Sequence, residues 1–238
     1  MAGIRTNVSI QGGAPTGYRD TSGRRGNEGR VIRIVAMGDS TTAGTPGFLS
    51  PVEAPPLGRG DATSQYAWWL ARRHPEWDVL NRGVNGERSD QIRARFQRDV
   101  IQAAPHAVVI IAGVNDVYQG RAAAHVIEQL RAMYDSAAAA GIRVVAGTII
   151  PFNTATADQN RRMREVNDWI RHRCEADANM LFVDTRAAVA ASDDPDRLDS
   201  SPDELHPSPD GYRRMAEALL PSLERISDLT GRTSPNRL

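Results

Sequence analysis

The sequence contains no lysine: its 29 Lys+Arg positions are all arginine, and they balance 29 Asp and Glu. Such usage reads as a nucleotide-composition bias more readily than as a phosphate-binding device. A formal net charge of zero without a basic stripe argues against nucleic acid as the main partner. Cysteine is nearly missing as well. The single Cys174 excludes an intramolecular disulfide and gives no metal-ligand cluster; beside Trp169, Ile170 and charged residues it reads as a helix-face thiol, not a nucleophile. No apolar run approaches the ~20 residues that a membrane span needs. Residues 1–30 lack the apolar core of a secretory signal. The expectation is a cytoplasmic protein, or a secreted one if a signal has been removed.

What is present suits one catalytic domain. A chain of 238 residues with 40% hydrophobic content buries one good-sized core. The boundaries read from composition are an arm over 1–30, rich in Gly, Arg, Thr and Ser, a domain over 31–230, and a tail over 231–238. Within the domain, short β-branched runs alternate with helical periodicity. Strands are expected at Val31–Met37, Trp77–Asn81, Ala107–Ala112, Ile142–Ile150 and Met180–Val183. Helices are expected from a Ser64 cap to about Arg73, then over Asp90–Gln102, Ala122–Ala140 (closed by Gly141) and Asp158–Ala176. A last helix starts near Pro209 and is kinked or split at Pro221. The pattern implies a three-layer α/β/α sandwich with a five-stranded parallel sheet, flavodoxin-like in type. That fold alone names no function.

Four strand-end loops carry the candidate chemistry. The first run of apolar residues leads straight into Gly38-Asp39-Ser40, which places a hydroxyl where a buried strand surfaces. Alone, this is also an ordinary turn or helix cap. The second loop, Asn81 to Ser89, contains Gly86, where a backbone N–H can point at a bound oxygen; a plain strand-to-helix turn reads the same way. The third, Gly113-Val-Asn115-Asp116, offers a neutral amide donor, or an Asx turn. The fourth runs from Asp199 to Gly211. In it His206 sits before a proline, with Asp203 three residues earlier, and a general base needs such a carboxylate to fix its tautomer. Asp199 and Asp210 compete for that role, although Asp210 belongs more naturally to the last helix. His74, His106, His125 and His172 lie at helix ends or on helix faces without a comparable setting.

Together these blocks resemble the SGNH (GDSL-type) hydrolase family, in the family's order and over about residues 31–226. Thr41 stands where the name-giving motif has Leu, and the arm before Val31 has no counterpart. The resemblance implies Ser40 as nucleophile, His206 as base and Asp203 as its orienting carboxylate. It implies an oxyanion hole from the Ser40 and Gly86 N–H groups and the Asn115 side chain, with no metal or cofactor. The expected activity is ester hydrolysis by a serine esterase. Acyl transfer, or lysophospholipase or thioesterase action through the same residues, are alternatives; a non-catalytic binding protein is another.

Substrate contacts are expected at Asp39 beside the nucleophile, at Phe48 and Leu49 in the proline-rich stretch Thr45–Thr63, and at Phe152 and Asn153 after the fourth strand. That stretch has no amphipathic lid helix, so the apolar wall is short. Since each buried methylene is worth ~0.8 kcal/mol, a short wall favours acetyl to butyryl esters, with room for a bulky alcohol such as a sugar.

Overall fold

The computed structural model describes residues 31–232, so the arm over 1–30 and the tail beyond 232 lie outside the described residues. Its strands are β1 (Arg33–Gly38), the two-residue β2 (Phe48–Leu49) and β3 (Arg59–Gly60), β4 (Asp78–Gly83), β5 (Ala107–Ile111), β6 (Arg143–Gly147) and β7 (Met180–Val183). The helices are α1 (Ser40–Ala43), α2 (Tyr66–Arg73), α3 (Ser89–Ala94), α4 (Val114–Tyr118), α5 (Ala123–Ala139), α6 (Ala157–Glu175), α7 (Thr185–Val189) and α8 (Pro209–Arg232). Five strands form one parallel sheet in the order β4-β1-β5-β6-β7. Counted along the chain this is 2-1-3-4-5, the flavodoxin-like order. β2 and β3 pair separately as an antiparallel ribbon.

Beyond the arginines that open β1 and β6, the strands β1, β5, β6 and β7 are apolar because both faces of the sheet are covered, whereas the edge strand β4 carries Asp78, Asn81 and Arg82. Val35, Met37, Val108 and Ile110 face a core closed by Ile92 of α3, Leu130 and Met133 of α5, and Met163 and Val166 of α6. Their neighbours Ile34, Ala36, Val109 and Ile111 face a second core closed by Tyr66 and Leu70 of α2 and Tyr212, Met215 and Leu219 of α8. Truncating side chains so buried costs ~2–5 kcal/mol each, so these two cores hold the layers more than helix propensity does.

Several local expectations are corrected. Ser64 does not cap α2; it ends a short 3-10 turn, Ala62–Ser64, capped by Asp61 through the Thr63 N–H, and Gln65 precedes the helix without a side-chain cap. The helix expected over Asp90–Gln102 stops at Ala94, and Gln97–Ile101 follows as a wider π-turn. Ile92, Phe96 and Val100 nevertheless stay buried in one core, so the packing pattern survives the change of winding. β6 ends at Gly147, and Thr148, Ile149 and Ile150 continue as buried loop. Pro221 neither splits nor ends α8, which continues through Gly231 to Arg232. Among the described residues, no helix is long and apolar enough to cross a membrane.

Candidate active site

The strand order reverses between β1 and β5, and ligands of open parallel sheets bind outside the carboxyl ends of the strands at such a switch point. Ser40 leaves β1 there and Asn115 follows β5. The turn into α1 requires glycine at position 38: a Cβ would lie 2.3 Å from both the Ile111 carbonyl oxygen and Thr42 Oγ1. Asp39 then caps α1, accepting the Thr41 N–H at 3.0 Å. As first residue of α1, Ser40 has an N–H outside the intrahelical ladder.

His206 Nε2 lies 2.9 Å from Ser40 Oγ, although 166 residues separate the two in sequence. Its Nδ1 lies 2.7 Å from Asp203 Oδ2. The same carboxylate accepts the Leu205 and His206 N–H groups on Oδ1, at 3.0 and 2.8 Å. One aspartate thus folds the loop and orients the ring. With Nδ1–H donating to Asp203, the Nε2 lone pair faces the serine hydroxyl. Burial raises the Asp203 carboxyl, but hydrogen bonds from the His206 ring and from the His206 and Leu205 amides outweigh it, and the group ends below its ordinary range. The competing carboxylates are engaged elsewhere: Asp199 with Arg214 at 2.9 Å and Asp210 with Arg213 at 2.7 Å.

Gly86 has a φ of 75°, the left-handed region that glycine adopts without strain. Among the described residues its N–H has no acceptor. Asn115 Nδ2 donates to the Glu87 carbonyl at 2.9 Å, which fixes the amide and leaves its second N–H to point elsewhere. Asp116, fully buried, accepts the Ser89 N–H at 2.7 Å and Ser89 Oγ at 2.9 Å, joining the second loop to the third.

Ser40, Asn115 and His206 share a cavity of about 160 Å³ whose apolar wall is Val114, Tyr118, Phe152 and Leu205. Tyr118 is 54% exposed and meets the buried Phe152 edge-on at 5.7 Å, so the tyrosine lies at the solvent side of the cavity and the phenylalanine deep in it. A wider open groove of about 640 Å³ between α2 and α8 holds none of these residues.

Of the expected substrate contacts, Phe152 alone lines the cavity. Asp39 is 1% exposed and caps α1 through the Thr41 N–H, so its carboxylate is directed into the protein. Phe48 is buried beneath Gly58 and, with Leu49, belongs to the β2–β3 ribbon, away from the cavity. Asn153 is occupied as scaffold: its Oδ1 accepts the Leu198 N–H and its N–H donates to the Glu204 carbonyl. Sequence reasoning missed Val114, Tyr118, Leu205 and Asn85 as lining residues. Val114 and Tyr118 flank Asn115 at i and i+4 of α4, a spacing that could have been read; Asn85 and Leu205 carry only adjacency to Gly86 and His206.

Asp90, Asp116 and His125 place one possible ligand atom each within 4.8 Å of one another. Their carboxylates already have partners, Arg88 for Asp90 and Ser89 for Asp116. Cys174 is buried in the core, and burial pushes its thiol up to about 11, away from nucleophilic use.

Residues 36–214 match the GDSL-like Lipase/Acylhydrolase family, and the chain belongs to it. An acetylxylan esterase from Geobacillus stearothermophilus is 30% identical over 155 residues, covering 60% of this chain and 70% of that one. Among solved structures, a member of the lipolytic protein G-D-S-L family from Veillonella parvula superposes with a TM-score of 0.68 at 19% identity, over 82% of this chain and 100% of that one. A catalytic mutant of the Geobacillus stearothermophilus acetylxylan esterase superposes with a TM-score of 0.63 at 24% identity, over 82% and 94%. The chain is accordingly a carboxylic ester hydrolase.

Proposed function

We propose that this protein is a serine esterase acting through Ser40, His206 and Asp203 on short acyl esters, with acetyl groups on carbohydrate as the best candidate substrate. The observation that carries the reading is the continuous relay from Ser40 Oγ to His206 Nε2 at 2.9 Å and from His206 Nδ1 to Asp203 Oδ2 at 2.7 Å, opening on a small cavity. His206 takes the serine proton as Oγ attacks the ester carbonyl. The N–H groups of Ser40 and Gly86 and the free N–H of Asn115 receive the oxyanion, and His206 then protonates the departing alcohol. Water, deprotonated by the same ring, releases the acid and restores Ser40. A lowered Asp203 carboxyl suits this cycle, because it stays ionised while the ring carries a proton.

The substrate reading has two supports. The cavity of about 160 Å³ is closed by Phe152, which leaves little room for a long acyl chain. The relative at 30% identity is named an acetylxylan esterase. Acetylated xylo-oligosaccharides and p-nitrophenyl acetate should be hydrolysed by the wild type, and a fluorophosphonate should label Ser40. In Ser40→Ala, labelling and turnover should vanish while circular dichroism and melting stay unchanged. Retained turnover in a folded Ser40→Ala protein would falsify the assignment.

A further inference from the structure

The loop carrying Gly86 makes few bonds of its own and is held from outside. Ser50 Oγ donates to the Gly83 carbonyl at 2.6 Å, and Arg95 Nε donates to Glu87 Oε2 at 2.6 Å. Between these anchors the crest bears two successive N–H groups, those of Asn85 and Gly86. The Asn85 N–H donates to Glu53 Oε1 at 3.1 Å. The second Glu53 oxygen accepts the Ser50 N–H at 3.2 Å. Glu53 comes from the stretch that follows the nucleophile turn, so one half-buried carboxylate joins that stretch to the crest beside Gly86.

A glycine peptide turns easily, and a donor useful to a transition state must not have to reorient at the moment of reaction. We propose that Glu53 is a positioning residue for the oxyanion hole: by holding the Asn85 and Ser50 N–H groups together it fixes the direction of the Gly86 N–H. The inference rests on the ester-hydrolysis reading with Gly86 as donor. Glu53 does not line the cavity, so its effect is on geometry and not on substrate contact. Its negative charge, taken alone, would oppose an oxyanion; the hydrogen bonds are therefore what the site gains.

The test compares wild type, Glu53→Ala and Glu53→Gln on p-nitrophenyl acetate. Glu53→Ala should lower kcat by ~10- to 100-fold, the range for a misplaced rather than a missing donor, with KM within about twofold. Affinity for ethylboronic acid, whose serine adduct places an oxygen in the hole, should fall in parallel. The shape of the pH profile should not change, since the Asp203–His206 pair is untouched. Glu53→Gln keeps one side-chain oxygen for the Asn85 N–H and should recover most of the rate. Wild-type kcat in Glu53→Ala overturns the proposal, as does equal impairment of Ala and Gln variants, which would point to charge. Should Glu53→Ala not fold, Glu53→Gln and Glu53→Asp decide: near-wild-type rates for Gln with a loss for the shorter Asp support the clamp, and equal rates overturn it. Absence of esterase activity in the wild type would instead defeat the underlying reading.

Discussion

Asn153 holds Leu198 across 45 residues of chain, its Oδ1 accepting the Leu198 N–H at 2.7 Å. Its own N–H donates to the Glu204 carbonyl at 2.8 Å. These two bonds bracket the segment that carries Asp203. Glu204 has a φ of 68°, unusual for a residue with a side chain, and the conformation survives because both ends of the turn are tied. The loop after β6 thereby stiffens the loop before α8.

Asn153→Ala should therefore act on stability and rate together. It leaves the part-buried Leu198 N–H without its partner, at a cost of ~1–3 kcal/mol. It should also lower kcat several-fold by freeing the Leu198 end of the segment that carries Asp203, while the backbone bond to Glu204 stays. Urea midpoints and steady-state rates on one preparation check this. A large rise in KM with unchanged stability would return Asn153 to substrate contact.

The carboxylate assignment makes a separate prediction. Asp203→Asn cannot accept from the His206 ring in the same way and can hold the wrong tautomer, so kcat should drop by up to ~10⁴. Asp199→Asn loses a pairing with Arg214 on the surface and should stay near wild type. Greater damage from Asp199→Asn than from Asp203→Asn would reverse the assignment.

The layers and the site differ in how far the sequence shows them. A strand buried on both faces is apolar at every position, so β1, β5 and β6 stand out without any partner in view. The loops of Ser40 and Asn115 were legible because each follows such a strand, whereas the loop of Gly86 follows the mixed β4 and that of His206 lies between α7 and α8, so both showed only through their own residue types. Winding was less legible: Ile92, Phe96 and Val100 keep the same spacing whether the turn is α or π. Phe48 was assigned to the cavity because it lies near Ser40 in sequence, yet the β2–β3 ribbon turns it inward beneath Gly58. Asn153 and Glu53 were opaque for a different reason. Each bonds backbone groups far along the chain, and such a partner leaves no pattern in either local stretch.

Asp39 predicts a pH-dependent stability. Burial lifts its carboxyl to about 7, the Thr41 hydrogen bonds and Arg95 pull it down, and Asp116 pushes it further up. The folded protein thus binds this proton more tightly than the unfolded chain does. The contribution to stability is fully present below the ordinary carboxylate pKa of ~4 and is lost as pH rises through about 7. Asp39→Asn keeps an oxygen for the Thr41 N–H and cannot ionise. Relative to wild type it should gain on the order of a few kcal/mol at about pH 8 and almost nothing at about pH 4. Denaturant midpoints at the two pH values test it; an identical difference at both would sink the argument.

Acyl length is the last prediction and turns on Phe152. Its ring is 2% exposed, lines the cavity and is held edge-on by Tyr118, so it acts as the floor against which an acyl chain would end. Wild-type kcat/KM should be highest for acetate to butyrate and fall beyond. Phe152→Leu shortens the floor without leaving the void that alanine would, whose cost of ~3–5 kcal/mol could unfold the protein. Each methylene then admitted to the wall gains ~0.8 kcal/mol, about fourfold in kcat/KM, so the optimum should shift toward longer esters. Phe48→Leu, in the ribbon and outside the cavity, is the control and should leave the chain-length profile where it was. If Phe48→Leu shifts the profile and Phe152→Leu does not, the acyl group runs along the β2–β3 ribbon and the cavity beside Phe152 takes the alcohol.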